Sequence, residues 1–197
     1  MSWIHAALFS AAILAAVNIV DSHLVSQRFS GFRTFLLLLG GINLAYCIIL
    51  AAIMPLPVAL PGTFLRLATV SAILRTGAII ILLDGLRQRE VSTVIPVVYS
   101  YPVIVAVIAF FVLGERLGWQ QWIAIAVVAL GAVLIAFNCE PDRAMARKPR
   151  SALILLAAGL FAVADVCGKA ALEQMSYWGL FWITALVMGV SFLAISL

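Results

Sequence analysis

Seven runs of about twenty apolar residues, nearly free of charge, follow one another along this chain: Trp3 to Gln27, Phe32 to Met54, Thr63 to Leu86, Val91 to Leu113, Trp119 to Phe137, Ser151 to Leu172 and Tyr177 to Leu197. A bilayer core of about 30 Å takes roughly 20 helical residues to cross. Inside lipid every backbone amide and carbonyl must be paired within a helix or a closed barrel. Barrel strands would be about half as long and would alternate in polarity at every second residue, so these runs predict an all-α, polytopic transmembrane bundle of about seven spans. Composition leads to the same solvent. The chain is 65% hydrophobic and 10% charged, against about 45–50% and about 25% in a soluble domain. A globule of 197 residues could not bury that much apolar surface and still cover itself with 12 basic and 8 acidic side chains.

Several function classes fall with the soluble fold. The net charge of +4 is read as basic loops held beside anionic lipid, not as a nucleic-acid surface. Cys47, Cys139 and Cys167 form no C-x-x-C pair, which argues against a disulfide framework and a zinc site. No metal or cofactor is expected. The chain has no H-E-x-x-H, G-x-S-x-G or P-loop pattern, and an enzyme is not expected. A retinal-type receptor would need a Schiff-base lysine in its last span, and Tyr177 to Leu197 has none. The N-terminus lacks the basic region of a cleaved signal, so the first run is expected to stay in the membrane.

The breaks between runs carry turn chemistry. Pro55, Pro57, Pro61 and Gly62 separate the second run from the third. Gly114-Glu115-Arg116 joins the fourth and fifth by so few residues that they must be antiparallel neighbours. One long polar stretch follows the fifth run. The expected units are therefore a five-helix unit over residues 1–138, a polar linker over 139–150 and a two-helix unit over 151–197. A shift of 146 residues lays Ala16-Val17 on Ala162-Val163 and Val20 on Val166. A five-span repeat crosses the membrane an odd number of times, so a second copy inserts inverted, which is a transporter's architecture.

The stretch from Glu90-Val-Ser-Thr-Val-Ile-Pro-Val-Val-Tyr-Ser-Tyr-Pro-Val through Phe111-Val-Leu-Gly-Glu-Arg-Leu-Gly-Trp-Gln-Gln-Trp-Ile-Ala resembles the EamA family of the drug/metabolite transporter superfamily. The features shared are an early proline in the fourth helix, the Leu-Gly-Glu turn ending at Glu115, and a fifth helix closing on Leu-Gly-Ala-Val-Leu-Ile-Ala. The resemblance implies two inverted five-helix repeats and export of a small metabolite by alternating access. It implies a multi-pass protein of the cell membrane, the inner membrane in a bacterium, whose partners are the lipid bilayer and a small-molecule substrate. It also marks Gly114 and Glu115 as the family's turn. A complete pair of repeats would need about 290 residues, so the second repeat here is expected to hold two helices of five. A chain truly ending at Leu197 would have to complete its cavity as a homo-oligomer, or be an inactive truncated carrier.

Polar residues inside the runs are the candidates for a substrate cavity. Arg75 lies near the middle of the third run, where a charge costs at least about 2.5–3.5 kcal/mol unless it faces protein or water. Asp84, nine residues on, is on the opposite face of the helix and cannot compensate it. Asp165, Lys169 and Glu173 are spaced four apart, which makes either an ion-pair ladder or cavity groups, with Asp165 nearest the span centre. Asn18, Ser22 and Ser26 give the first run a polar face beside Asp21, and His23 falls opposite Lys169 in the repeat alignment. Tyr99 and Tyr101 lie between Pro96 and Pro102, the expected helix kinks, Pro102 freeing the carbonyl of Val98. Gly40-Gly41, Ala132, Ala136, Ala158 and Ala162 are read as close-packing positions. A different reading also fits the same residues: a non-transporting membrane scaffold in which Arg75 and Asp165 simply pair.

Loop charges leave orientation open. Eight basic residues lie on the side of the loops after spans one, three and five, against two on the other. That places the N-terminus outside by the charge rule, whereas the family resemblance implies inside.

Overall fold

A computed structural model describes residues 3–24, 31–53, 62–88, 91–98, 100–112, 114, 118–138 and 148–197. Those residues form eight α-helices and no strand: α1 (Trp3–His23), α2 (Phe32–Ile53), α3 (Gly62–Gln88), α4 (Val91–Val98), α5 (Tyr101–Val112), α6 (Trp119–Asn138), α7 (Lys148–Leu172) and α8 (Tyr177–Ser196). Six stretches are long and apolar enough to cross a membrane, one of them Val94–Val112, which runs through α4 and α5. The seventh expected span is α6, whose described apolar stretch is the shorter Trp119–Gly131. The chain is thus a multi-pass membrane protein.

Two boundaries differ from the sequence expectation. The fourth run is two helices, not one. α4 ends at Val98 and α5 begins at Tyr101, because Pro102 has no amide to give Val98's carbonyl. The Ser100 hydroxyl instead donates to the Val97 carbonyl at 2.7 Å. Helix α7 starts at Lys148, inside the stretch expected to be linker. Pro149 explains the early start, since proline suits a helix's first turn.

Helix α3 is the centre of the bundle. One apolar cluster joins its Leu82 and Leu86 to Val94 and Val98 of α4 and Ile154 and Ala157 of α7. A second joins Leu83 to Phe35 and Leu36 of α2 and Phe192 of α8. A third brings Ala68 against Ala171 of α7 and Ile183 of α8. Lipid tails are as apolar as leucine, so close fit and not water exclusion must hold such helices together. The α3–α7 contact is accordingly made of small residues: Ala68, Ala72, Ala158, Ala164 and Ala171 are all fully buried.

Glycine does the same work where α2 crosses α8, and the two helices do it reciprocally. A Cβ on Gly40 would stand 2.9 Å from Leu193 Cγ, and one on Gly189 would stand 2.8 Å from Leu44 Cδ2. Each helix offers a Gly-x-x-x-Leu step to the other. Gly41, expected to pack as Gly40 does, faces open space instead. Of the six spanning stretches the one in α1 is the least buried, and it presents Leu8, Phe9 and Ile19 outward, as a lipid-facing helix should. Trp119 and Tyr177, the exposed first residues of α6 and α8, fit the aromatic belt of a membrane interface.

Candidate functional site

Arg75 pairs with Asp165. The guanidinium of α3 donates through Nη2 to Oδ1 of the α7 carboxylate, so the charge in the third span is matched by an acid 90 residues away. The small-residue contact just described sets this pair. One turn before Arg75, the Ser71 hydroxyl donates to the backbone carbonyl of Ala164 at 2.7 Å. A Cβ on Gly168 would stand 3.2 Å from that same hydroxyl oxygen. Helices drawn this close bring position 75 opposite position 165, so that Asp165 makes a bond across helices.

The pair is not sealed. Side-chain exposure of 38% for Arg75 and 28% for Asp165 reflects a cavity of about 490 Å³ beside it. Lys169, Asn43, Ser71 and Thr184 supply further polar lining. Several of these hydrogen-bond their own helix: Asn43 Nδ2 donates to the Leu39 carbonyl at 2.9 Å and Thr184 Oγ1 to the Leu180 carbonyl at 2.8 Å. Side chains held in this way can offer their remaining lone pairs to a guest without leaving a backbone group unpaired. The aromatic side of the cavity is Tyr177 and Phe181, with ring centroids 6.1 Å apart.

A second cavity of about 270 Å³ lies on the other side of Arg75. Asn18 and Asp21 of α1 line it, as do Tyr101 of α5 and Phe161 of α7. The Tyr101 and Phe161 rings lie 5.8 Å apart. Arg75 and Ile79 border both spaces. The structure therefore brings Arg75, Asp165 and Lys169 to one cavity and Arg75, Asn18 and Tyr101 to another, where the sequence had suggested one group.

Other candidates lie elsewhere. Tyr99 and Glu115 fall outside the described residues. Gly114 is described and takes a φ of +65°, a left-handed turn that glycine enters without steric cost. Pro96 sits within α4 and Pro102 on the second position of α5, at either side of the break. His23, at the end of α1, is exposed.

Sequence reasoning passed over Asn43, Ser71, Thr184, Tyr177 and Phe181 as cavity lining, and named Asp21 only as adjoining the polar face of the first run. A signal was available for two of them. Asn43 is the one carboxamide in α2, in the middle of a mostly apolar helix, and Ser71 lies four residues before Arg75 on the same helical face. Among the described residues, no three His, Cys, Asp or Glu side chains gather as a metal site.

Comparison with known proteins places the chain. Two curated relatives are the S-adenosylmethionine uptake transporter of Rickettsia prowazekii (strain Madrid E), 26% identical over 113 residues, and that of Rickettsia bellii (strain RML369-C), 28% identical over 106 residues. The matched stretches cover 57% and 54% of this chain but only 37% and 35% of those relatives. No solved structure matches. The EamA-like transporter family matches residues 1–137, more than half of the chain and every helix from α1 to α5, so this multi-pass membrane protein is a member of that family.

Proposed function

We propose that the chain is part of a carrier that moves a small charged metabolite across the cell membrane, the inner membrane in a bacterium, by alternating access. The observation that carries this reading is the Arg75–Asp165 pair bordering a cavity of about 490 Å³ at the centre of the bundle. A charge pair kept only for structure needs no such space beside it. Here Arg75 and Lys169 would meet the anionic end of a guest, Asp165 its cationic end, and Tyr177 and Phe181 a planar or cationic portion. Residues 1–138 are proposed as the first five-helix repeat and 151–197 as the start of an inverted second one. The reciprocal Gly-x-x-x-Leu packing of α2 on α8 supports that arrangement, since a two-fold relation makes each partner meet the other's equivalent residue, although these steps are related by a shift of 149 residues and not 146.

S-Adenosylmethionine, named for both relatives, is the first substrate to test. It carries an amino-acid carboxylate and ammonium, a sulfonium cation and a flat purine, and each has a counterpart in the lining above. The resemblance implied export, whereas both relatives are named for uptake; a carrier runs down whichever gradient it is given, so the assay should impose each. The test is entry of labelled S-adenosylmethionine into proteoliposomes. Flux well above protein-free vesicles, lost in Arg75→Ala with insertion unchanged, is expected. Wild-type flux equal to that of empty vesicles in both directions would overturn S-adenosylmethionine as the substrate. Flux unchanged in Arg75→Ala would show that the pair is structural and meets no substrate.

A further inference from the structure

Arg75 shares one cavity with Asp165 and another with Asp21. It borders both cavities, whereas Asp165 borders only the larger and Asp21 only the smaller. Asp165 holds the guanidinium. Asp21, near the end of α1, is partly buried and has no ion-pair or hydrogen-bond partner among the described residues. A carboxylate at that depth of a membrane helix is costly without a counter-charge, and among the described residues lining its cavity Arg75 is the only cation. The cavity is about 270 Å³.

We propose that Asp21 is the second partner of Arg75, and that the guanidinium exchanges between Asp165 at the larger cavity and Asp21 at the smaller. The exchange conserves charge: one ion pair breaks as another forms, and no proton or ion need enter. Each position places the Arg75 side chain across a different cavity, so the swing opens one space as it narrows the other. Helix α1 packs on α3 far less extensively than α7 does, so Asp21 sits on the less tightly held helix. A guest carboxylate entering the larger cavity competes with Asp165 for the same N–H donors and so promotes the swing. The role of the swing in transport rests on the carrier reading above; the pairing itself does not.

The test combines thermal unfolding of the full chain in detergent with S-adenosylmethionine flux in proteoliposomes, for wild type, Asp21→Asn, Asp165→Asn and the double variant. With Asp165 removed, Arg75 turns to Asp21. Asp21→Asn alone should leave the midpoint nearly unchanged, and the double variant should fall at least about 3 °C below the sum of the single effects. Additive midpoints overturn the exchange. Asp21→Asn should also cut flux at least tenfold, with partial recovery in Asp21→Glu; wild-type flux in Asp21→Asn overturns the swing as a transport step, and decides the matter alone if Asp165→Asn does not fold. Non-additive midpoints in a wild type without flux keep the exchange and remove the carrier reading. Additive midpoints with intact wild-type flux do the reverse.

Discussion

Gly189 of α8 presses so closely on Leu44 of α2 that a Cβ at that glycine would stand 2.8 Å from the leucine Cδ2 and 3.2 Å from its backbone nitrogen. Gly189→Ala is therefore expected to force the two helices apart. The strain should outweigh the roughly 1 kcal/mol that alanine gains over glycine within a helix, leaving a loss of about 1–3 kcal/mol. Gly41→Ala, with nothing within 4 Å of its added Cβ, is the matched control and should be neutral or stabilising. Thermal unfolding in detergent distinguishes them, and equal midpoints for both variants would contradict the close crossing.

The Arg75–Asp165 pair is partly exposed to the cavity, so its removal should cost less than a sealed pair and more than a surface one. Asp165→Ala is expected to lose about 1–3 kcal/mol. The charge-swapped variant Arg75→Asp with Asp165→Arg should recover part of that loss without recovering flux, because the guest would meet reversed charges. Full flux in the swapped chain would show that only neutrality is needed there.

Ser71 joins α3 to α7 by its bond to the Ala164 carbonyl at 2.7 Å. Ser71→Ala should cost about 0.5–1.5 kcal/mol and leave the helix spacing as it is. Ser71→Leu should cost more, since the space against Gly168 is already filled at 3.2 Å, and should also lower flux by displacing Arg75 from Asp165. A leucine variant as stable and active as the alanine one would contradict this account of how the pair is positioned.

Gly114 adopts a φ of +65°, a region in which a Cβ is disfavoured. Gly114→Ala is expected to destabilise by about 1 kcal/mol, and Gly114→Asn by less, because asparagine enters left-handed turns more readily. A midpoint for Gly114→Ala at or above wild type would show that the turn can adopt another conformation.

The sequence alone determined the solvent, the helical class and the position of most spans. Each follows from local properties: run length against bilayer thickness, and the backbone's need for internal pairing in lipid. It also marked Pro102, since a missing amide acts on its own helix, and it singled out Arg75 by the cost of its charge. What it left open was most of the packing between helices. Gly40 and Gly41 are identical neighbours in the chain, yet a step of about 100° around the helix turns one onto Leu193 and the other to open space. Asp165 was already named as a partner for Arg75 in one of two readings, and the α3–α7 contact through Ser71, Ala164 and Gly168 is what brings the two together. The placing of Asp21 and Asp165 on either side of that arginine, at separate cavities, was decided by tertiary packing alone, because helix crossings and registers depend on surfaces that meet across 90 residues of chain.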